Sequence, residues 1–78
     1  MFGETLVHTC LIHIEGRDYE VAVFSRPGGT HLAKTVFAPW DVIINDGPSL
    51  EAALAKHRQI LPLAVGSRRV LRQFQGEY

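Results

Sequence analysis

The sequence predicts an α+β domain, an antiparallel meander of three to four strands with one α-helix packed on one face and a short C-terminal element. Three observations lead there. Residues 5–38 contain three β-branched and apolar runs separated by glycine-bearing turns. The tetrad Asp46-Gly47-Pro48-Ser49 then breaks the extended pattern. Beyond it, Leu50, Ala53, Leu54, His57 and Leu61 recur at helical spacing.

Residues 5–14 make the first strand. Leu6, Cys10, Ile12 and Ile14 share one face with His8, and Thr5, Val7, Thr9, Leu11 and His13 share the other. Glu15-Gly16-Arg17-Asp18 turns the chain, with Gly16 free to take a positive φ, and Tyr19–Phe24 returns as the second strand. Pro27-Gly28 suits the two central positions of a type II turn, since proline presets φ and glycine supplies the positive one. A third strand spans about His31–Ala38, Pro39-Trp40-Asp41 turns again, and Val42-Ile43-Ile44 reads as a short fourth strand or a buried connector. Ser49 is a suitable N-cap for the helix, and Glu51 in its first turn suits the helix dipole. Pro62 lacks a backbone donor and clashes inside a helix, which places the helix end near Leu61. Residues 67–74 fit a strand or a short helix equally well, and residues 75–78 read as frayed. Leu6, Cys10, Ile12, Val21, Val23, Leu50, Leu54 and Leu61 are the expected core.

At 78 residues the chain is expected to form a single domain, 1–78. A domain of this size buries only about 60% of the surface its unfolded chain exposes, so its core is marginal. One cysteine leaves no internal disulfide and no four-cysteine zinc site. Eight Lys+Arg balance eight Asp+Glu, which leaves little charge repulsion to keep the chain monomeric. The beginning of the chain carries no signal-peptide pattern, and no apolar run approaches a membrane span. The expectation is a soluble, cytoplasmic protein with no membrane partner.

The charges are unevenly distributed. Between Glu51 and Glu77 the chain has Lys56, Arg58, Arg68, Arg69 and Arg72 and no acid, whereas the first 55 residues carry seven acids against Arg17, Arg26 and Lys34. This basic third can be a solvated face, a phosphate-binding surface, or a surface that docks on the acidic turns of another copy.

Residues suited to chemistry are present without the spacing that chemistry needs. His8 and Cys10 share a strand face, but His13 points to the other, so a zinc or copper site would need ligands from elsewhere in the fold. A nucleophile such as Cys10, Ser25, Ser49 or Ser67 lacks a recognisable base and orienting group. Pro27-Gly28-Gly29-Thr30 lacks the spacing and the lysine of a phosphate-binding loop. No catalytic, cofactor-binding or metal-binding residues are assigned, and the chain is not expected to be an enzyme. Trp40, after Pro39 in a turn, and Phe74 near the terminus are candidate interface residues, because exposed aromatics anchor partner contacts.

Tyr19–Phe24, Pro27-Gly28 and Asp46-Gly47-Pro48-Ser49-Leu50-Glu51-Ala52-Ala53-Leu54 together give residues 19–61 a cadence that resembles the HicB-type antitoxins. In that family a hairpin and a third strand lead through Gly-x-Ser/Thr-x-Glu-Glu-Ala into a helix. The resemblance implies a partial double-stranded-RNA-binding-type fold, oligomerisation and a toxin-nuclease partner; it assigns no functional residue here. The functional expectation is a non-enzymatic interaction module that self-associates as a homodimer, through a sheet edge or its terminal aromatics. The alternative is a nucleic-acid-binding regulator that uses Lys56, Arg58, Arg68, Arg69 and Arg72.

Overall fold

A computed structural model describes residues 3–76, with side chains as far as Gln73. Four strands, β1 (Thr5–Ile14), β2 (Arg17–Ser25), β3 (His31–Ala38) and β4 (Asp41–Gly47), form one antiparallel sheet in the order β1-β2-β3-β4. A single helix, α1 (Leu50–Gly76), follows and packs across β4 and β3 as far as β2. The chain is therefore the expected α+β meander, and its fourth strand is complete rather than a connector.

The turns follow their residue chemistry. Glu15 (φ 54°) and Gly16 (φ 84°) both take positive φ, the requirement of a two-residue type I′ hairpin whose twist matches the flanking strands. In the next connection the Gly29 N–H donates to the Arg26 carbonyl at 3.1 Å and Gly28 has φ 93°, the type II geometry expected of Pro-Gly. Ser49 caps α1 as expected. Its Oγ accepts the Ala52 N–H at 3.0 Å, and its carbonyl accepts the Ala53 N–H at 3.0 Å.

Asp46 and Gly47, expected to break the extended pattern, instead close β4 by pairing with Leu32 and His31, and two further sequence expectations need correction. The first is Leu6, expected in the core but 54% exposed. A bulge between Leu6 and His8 inserts one extra residue, so Leu6 pairs with Phe24 while His8 pairs with Val23. One inserted residue is enough to transfer a side chain to the opposite face. The second is the end of the helix. Instead of stopping near Leu61, α1 continues through Pro62 to Gly76, so the undecided stretch 67–74 is helical and, among the described residues, the C-terminal element is the last part of α1. Pro62 lies on the exposed side, where the carbonyl left without a donor remains open to water. On the inner side Leu61 and Val65 are buried, each worth about 1.5–3 kcal/mol, which offsets the roughly 3 kcal/mol cost of an interior proline.

The core is small. Val21, Val23, Ala33, Ala53, Leu61 and Val65 are buried, with Cys10, Ile12, Leu50 and Leu54 among the partly buried residues around them. Helix and sheet approach closely at Gly47, where an added Cβ would lie 2.7 Å from the Ala53 backbone nitrogen. Glycine is required at that crossing because backbone atoms, unlike a flexible side chain, cannot move aside.

A polar seam crosses this apolar layer and ties α1 to three strands. His57 is fully buried. Its Nδ1 lies 2.5 Å from Asn45 Oδ1, and its Nε2 lies 2.8 Å from Thr35 Oγ1. Asn45 Nδ2 donates to the Ala53 carbonyl at 2.9 Å, so its Oδ1 must accept, which places a proton on His57 Nδ1. The single Thr35 hydroxyl proton lies between two acceptors, the unprotonated Nε2 and the Glu20 carbonyl at 3.0 Å, just beyond the paired stretch of β2 and β3, and it serves one of them at a time. Burial pushes the His57 imidazole below its ordinary pKa. Protonation would supply a second donor to Thr35, worth about 1 kcal/mol, but no carboxylate sits among the seam's partners to offset a buried charge costing several kcal/mol. The ring is neutral.

Candidate functional site

Gly47 near Ala53 marks one end of β4 and Asp41 near Arg68 the other, so α1 runs back along β4 towards the sheet end that carries the β1–β2 and β3–β4 turns. There the C-terminal half of the helix overhangs both turns and encloses an open cleft of about 940 Å³. Its walls include Tyr19 and Phe37 from the sheet, Trp40 from the β3–β4 turn, and Val65 and Leu71 from the helix. Four guanidinium groups, Arg17, Arg68, Arg69 and Arg72, share it with two carboxylates, Glu15 and Asp41.

Arg68 is the most tightly held of these. Its Nε donates to Asp41 Oδ2 at 2.7 Å, its Nη2 to Asp41 Oδ1 at 2.5 Å, and its Nη1 to the Ala64 carbonyl at 3.0 Å. Its guanidinium stacks 4.2 Å from the centre of the Phe37 ring, which meets Tyr19 edge-to-face at 5.8 Å. Hydrogen bonding from Arg68 holds the Asp41 carboxyl below its usual range despite some desolvation, and the same bond raises the Arg68 pKa. Arg69 pairs with Glu15 in the β1–β2 turn. The acidic turns and the basic third of the chain thus meet within one molecule at two points. Arg17 and Arg72 have no ion-pair partner among the described residues.

The five basic candidates separate accordingly. Arg68, Arg69 and Arg72 come together at the cleft. Lys56 and Arg58 are exposed on the first half of the helix, about 15–18 Å back along its axis from Arg68 at 1.5 Å per residue. Arg17, which sequence reasoning left out, joins the cleft because the two-residue hairpin places it directly across from Ile14. Trp40 is 86% exposed at the cleft rim. The side chain of Phe74 lies outside the described residues.

The second surface feature is the sheet face opposite α1. Cross-strand pairing sets Leu6, Phe24 and Leu32 in one row across three strands, with Ala22 and Ile44 flanking Lys34 in the next. Leu11, Val36 and Val42 complete its apolar surface, and Leu11 is 65% exposed. Glu20, Lys34 and Asp46 lie among them, and at the end of β1 His13 bonds Asp18 at 2.8 Å.

Among the described residues no three His, Cys, Asp or Glu side chains cluster as a metal site requires, and no helix is long and apolar enough to cross a membrane. His8 and His13 occupy opposite sheet faces, as strand alternation requires. No protein-family profile, curated protein or solved structure matches the chain, so its functional reading rests on this geometry.

Proposed function

We propose that the chain is a non-enzymatic interaction module that self-associates as a dimer through the uncovered face of its sheet. The observation that carries this reading is the apolar surface left open on the side away from α1. Antiparallel sheets with one solvated face usually present polar residues there. Here Leu6, Leu11, Phe24, Leu32, Val36, Val42 and Ile44 stand on that side.

Surface area supports a second copy as the occupant. A compact monomer of 8.7 kDa exposes about 4,700 Å². This chain exposes 5465 Å², and its radius of gyration is 14.0 Å against about 11.5 Å for a compact chain of 78 residues. The surplus of roughly 700 Å² is of the same order as the ~800 Å² that each partner contributes to a standard interface.

Sedimentation equilibrium between about 5 and 500 µM tests the proposal. The native chain is expected to sediment as a dimer over most of that range. Leu11→Glu and Ile44→Glu, at exposed positions outside the helix-covered core, are expected to give folded monomers with unchanged far-ultraviolet circular dichroism. A native chain that is monomeric at 500 µM overturns the proposal, as does a dimer indifferent to both substitutions.

A further inference from the structure

We infer that the cleft between the C-terminal half of α1 and the two turns binds a nucleoside phosphate, either free or as an unpaired nucleotide of a single strand. The inference does not depend on self-association, because the cleft opens at the end of the sheet under the helix, and of the residues named on the proposed dimer face Val36 alone also lines it.

Its chemistry has two parts. The first is a surplus of guanidinium groups. Asp41 and Glu15 are already engaged by Arg68 and Arg69, so the positive charges of Arg17 and Arg72 are uncompensated among the described residues. Guanidinium is the side chain suited to phosphate, because its planar fork donates two parallel hydrogen bonds. Arg68 is a positioning residue here. Its bonds to Asp41 and Ala64 and its stacking on Phe37 lock the helix over the turns and hold Arg72, one turn further along, above the opening.

The second part is an unpartnered aromatic plane at the same opening. Trp40 is the chain's one tryptophan and is largely exposed on the cleft rim, with both faces of the indole free of any stacking partner among the described residues. An exposed indole beside arginines is the combination by which proteins hold unpaired bases, with the ring stacking the base and the cations holding the phosphate. A base inside a duplex cannot offer its face to a single rim side chain, so the chemistry favours unpaired nucleotides over duplex. The cleft volume falls in the range of small-ligand pockets, about 300–1,000 Å³.

Because Trp40 is the sole tryptophan, its emission reports on this opening alone. Titrations of the full chain with adenosine monophosphate, inorganic phosphate, an eight-nucleotide single strand and a duplex of the same sequence test the inference. Quenching by the mononucleotide and the single strand, but not by phosphate, is expected. A single strand binding at least tenfold more tightly than the mononucleotide identifies a strand as the source of the nucleotide, and equal affinities identify the free nucleotide. Arg17→Glu and Arg72→Glu should each weaken binding at least tenfold. Trp40→Ala, followed by amide shifts in NMR spectra, should weaken it about fivefold or more. The inference fails if neither nucleotide ligand perturbs Trp40 or the cleft amides, if duplex binds as tightly as single strand, or if the two arginine replacements leave affinity unchanged in a folded protein.

Discussion

Replacing His57 by alanine is the sharpest test of how the helix is held to the sheet. The imidazole is fully enclosed and bonded at both nitrogens, to Asn45 and Thr35. Truncation removes a volume of roughly 60 Å³, which at about 24 cal/mol per Å³ of residual cavity costs near 1.5 kcal/mol. It also strands Asn45 Oδ1, whose own amide is committed to the Ala53 carbonyl, at a cost of about 1–3 kcal/mol. Thr35, freed from Nε2, turns its proton to the Glu20 carbonyl and adds little. The expected loss is therefore about 3–4 kcal/mol, a large share of the roughly 4–12 kcal/mol total stability of a domain this size. Urea unfolding followed by circular dichroism, on native and variant chains at one concentration, reads it directly. A loss below about 1 kcal/mol would refute the assignment of the seam as the main helix–sheet tie.

The same residue makes stability depend on pH. Burial lowers the folded-state pKa of His57 below its ordinary value of 6.5, so the unfolded chain takes up a proton first as pH falls. Its contribution is fully present above about pH 6.5 and is lost as pH falls through the folded-state value. The slope from this one group cannot exceed about 1.4 kcal/mol per pH unit. Unfolding free energies at pH 7.5 and 5.5 should therefore differ in the native chain, and a His57→Gln chain should show a shallower difference. Equal pH dependence in the two chains would show that the ring is not held neutral by burial.

Three further outcomes follow from particular contacts. Gly47→Ala forces a methyl group against the Ala53 backbone and should destabilise the fold by about 2 kcal/mol or more, read as a lower urea midpoint. Pro62→Ala should stabilise it by about 1–3 kcal/mol, since alanine restores a backbone donor within an established helix, and a lower melting temperature would contradict a continuous α1. Arg68→Gln removes the hydrogen bonds that depress the Asp41 pKa, so a carboxyl titration followed by NMR should show that pKa rise towards its ordinary value, with faster amide exchange in α1 beyond Val65.

The meander was legible because its turns are local chemistry. Gly16 and Pro27-Gly28 specify their φ values with no reference to the rest of the molecule, and Ser49 caps whatever helix follows it. The errors arose where a distant contact outweighs a local rule. Pro62 is a strong breaker in isolation, yet Val65 and Arg68 continue the stripe set by His57 and Leu61, and their burial and pairing with Asp41 hold the second half of α1 in place. That continuing spacing is present in the sequence, and the burial of Leu61 and Val65 along it outweighs the proline. The bulge at Val7 has no such signal, because an inserted residue in a β-branched run leaves the alternation ambiguous, and Leu6 was placed on the wrong face. The basic residues were recognisable as a group, but their division was not. Only the hairpin register brings Arg17 to the cleft, and only the fold seats Arg68 and Arg69 on Asp41 and Glu15.

The two proposals constrain each other through their placement on opposite sides of the sheet. A dimer formed through the uncovered face keeps α1 on the outside of each copy, so both clefts remain open to solvent and one assembly presents two nucleotide sites. A strand long enough to reach both converts the second contact into an intramolecular one and gains affinity with no new contact, whereas a mononucleotide gains nothing from the pairing. Leu11→Glu separates these effects because Leu11 lies on the dimer face and not in the cleft. In that variant mononucleotide affinity should stay at its native level, while the affinity of a long single strand should fall at least tenfold, to that of a short one. If mononucleotide binding falls as well, the cleft depends on the dimer, and the picture of two independent faces is wrong. If long-strand affinity survives in a proven monomer, the strand is held by one copy, and Lys56 and Arg58 further back along α1 become the next residues to replace.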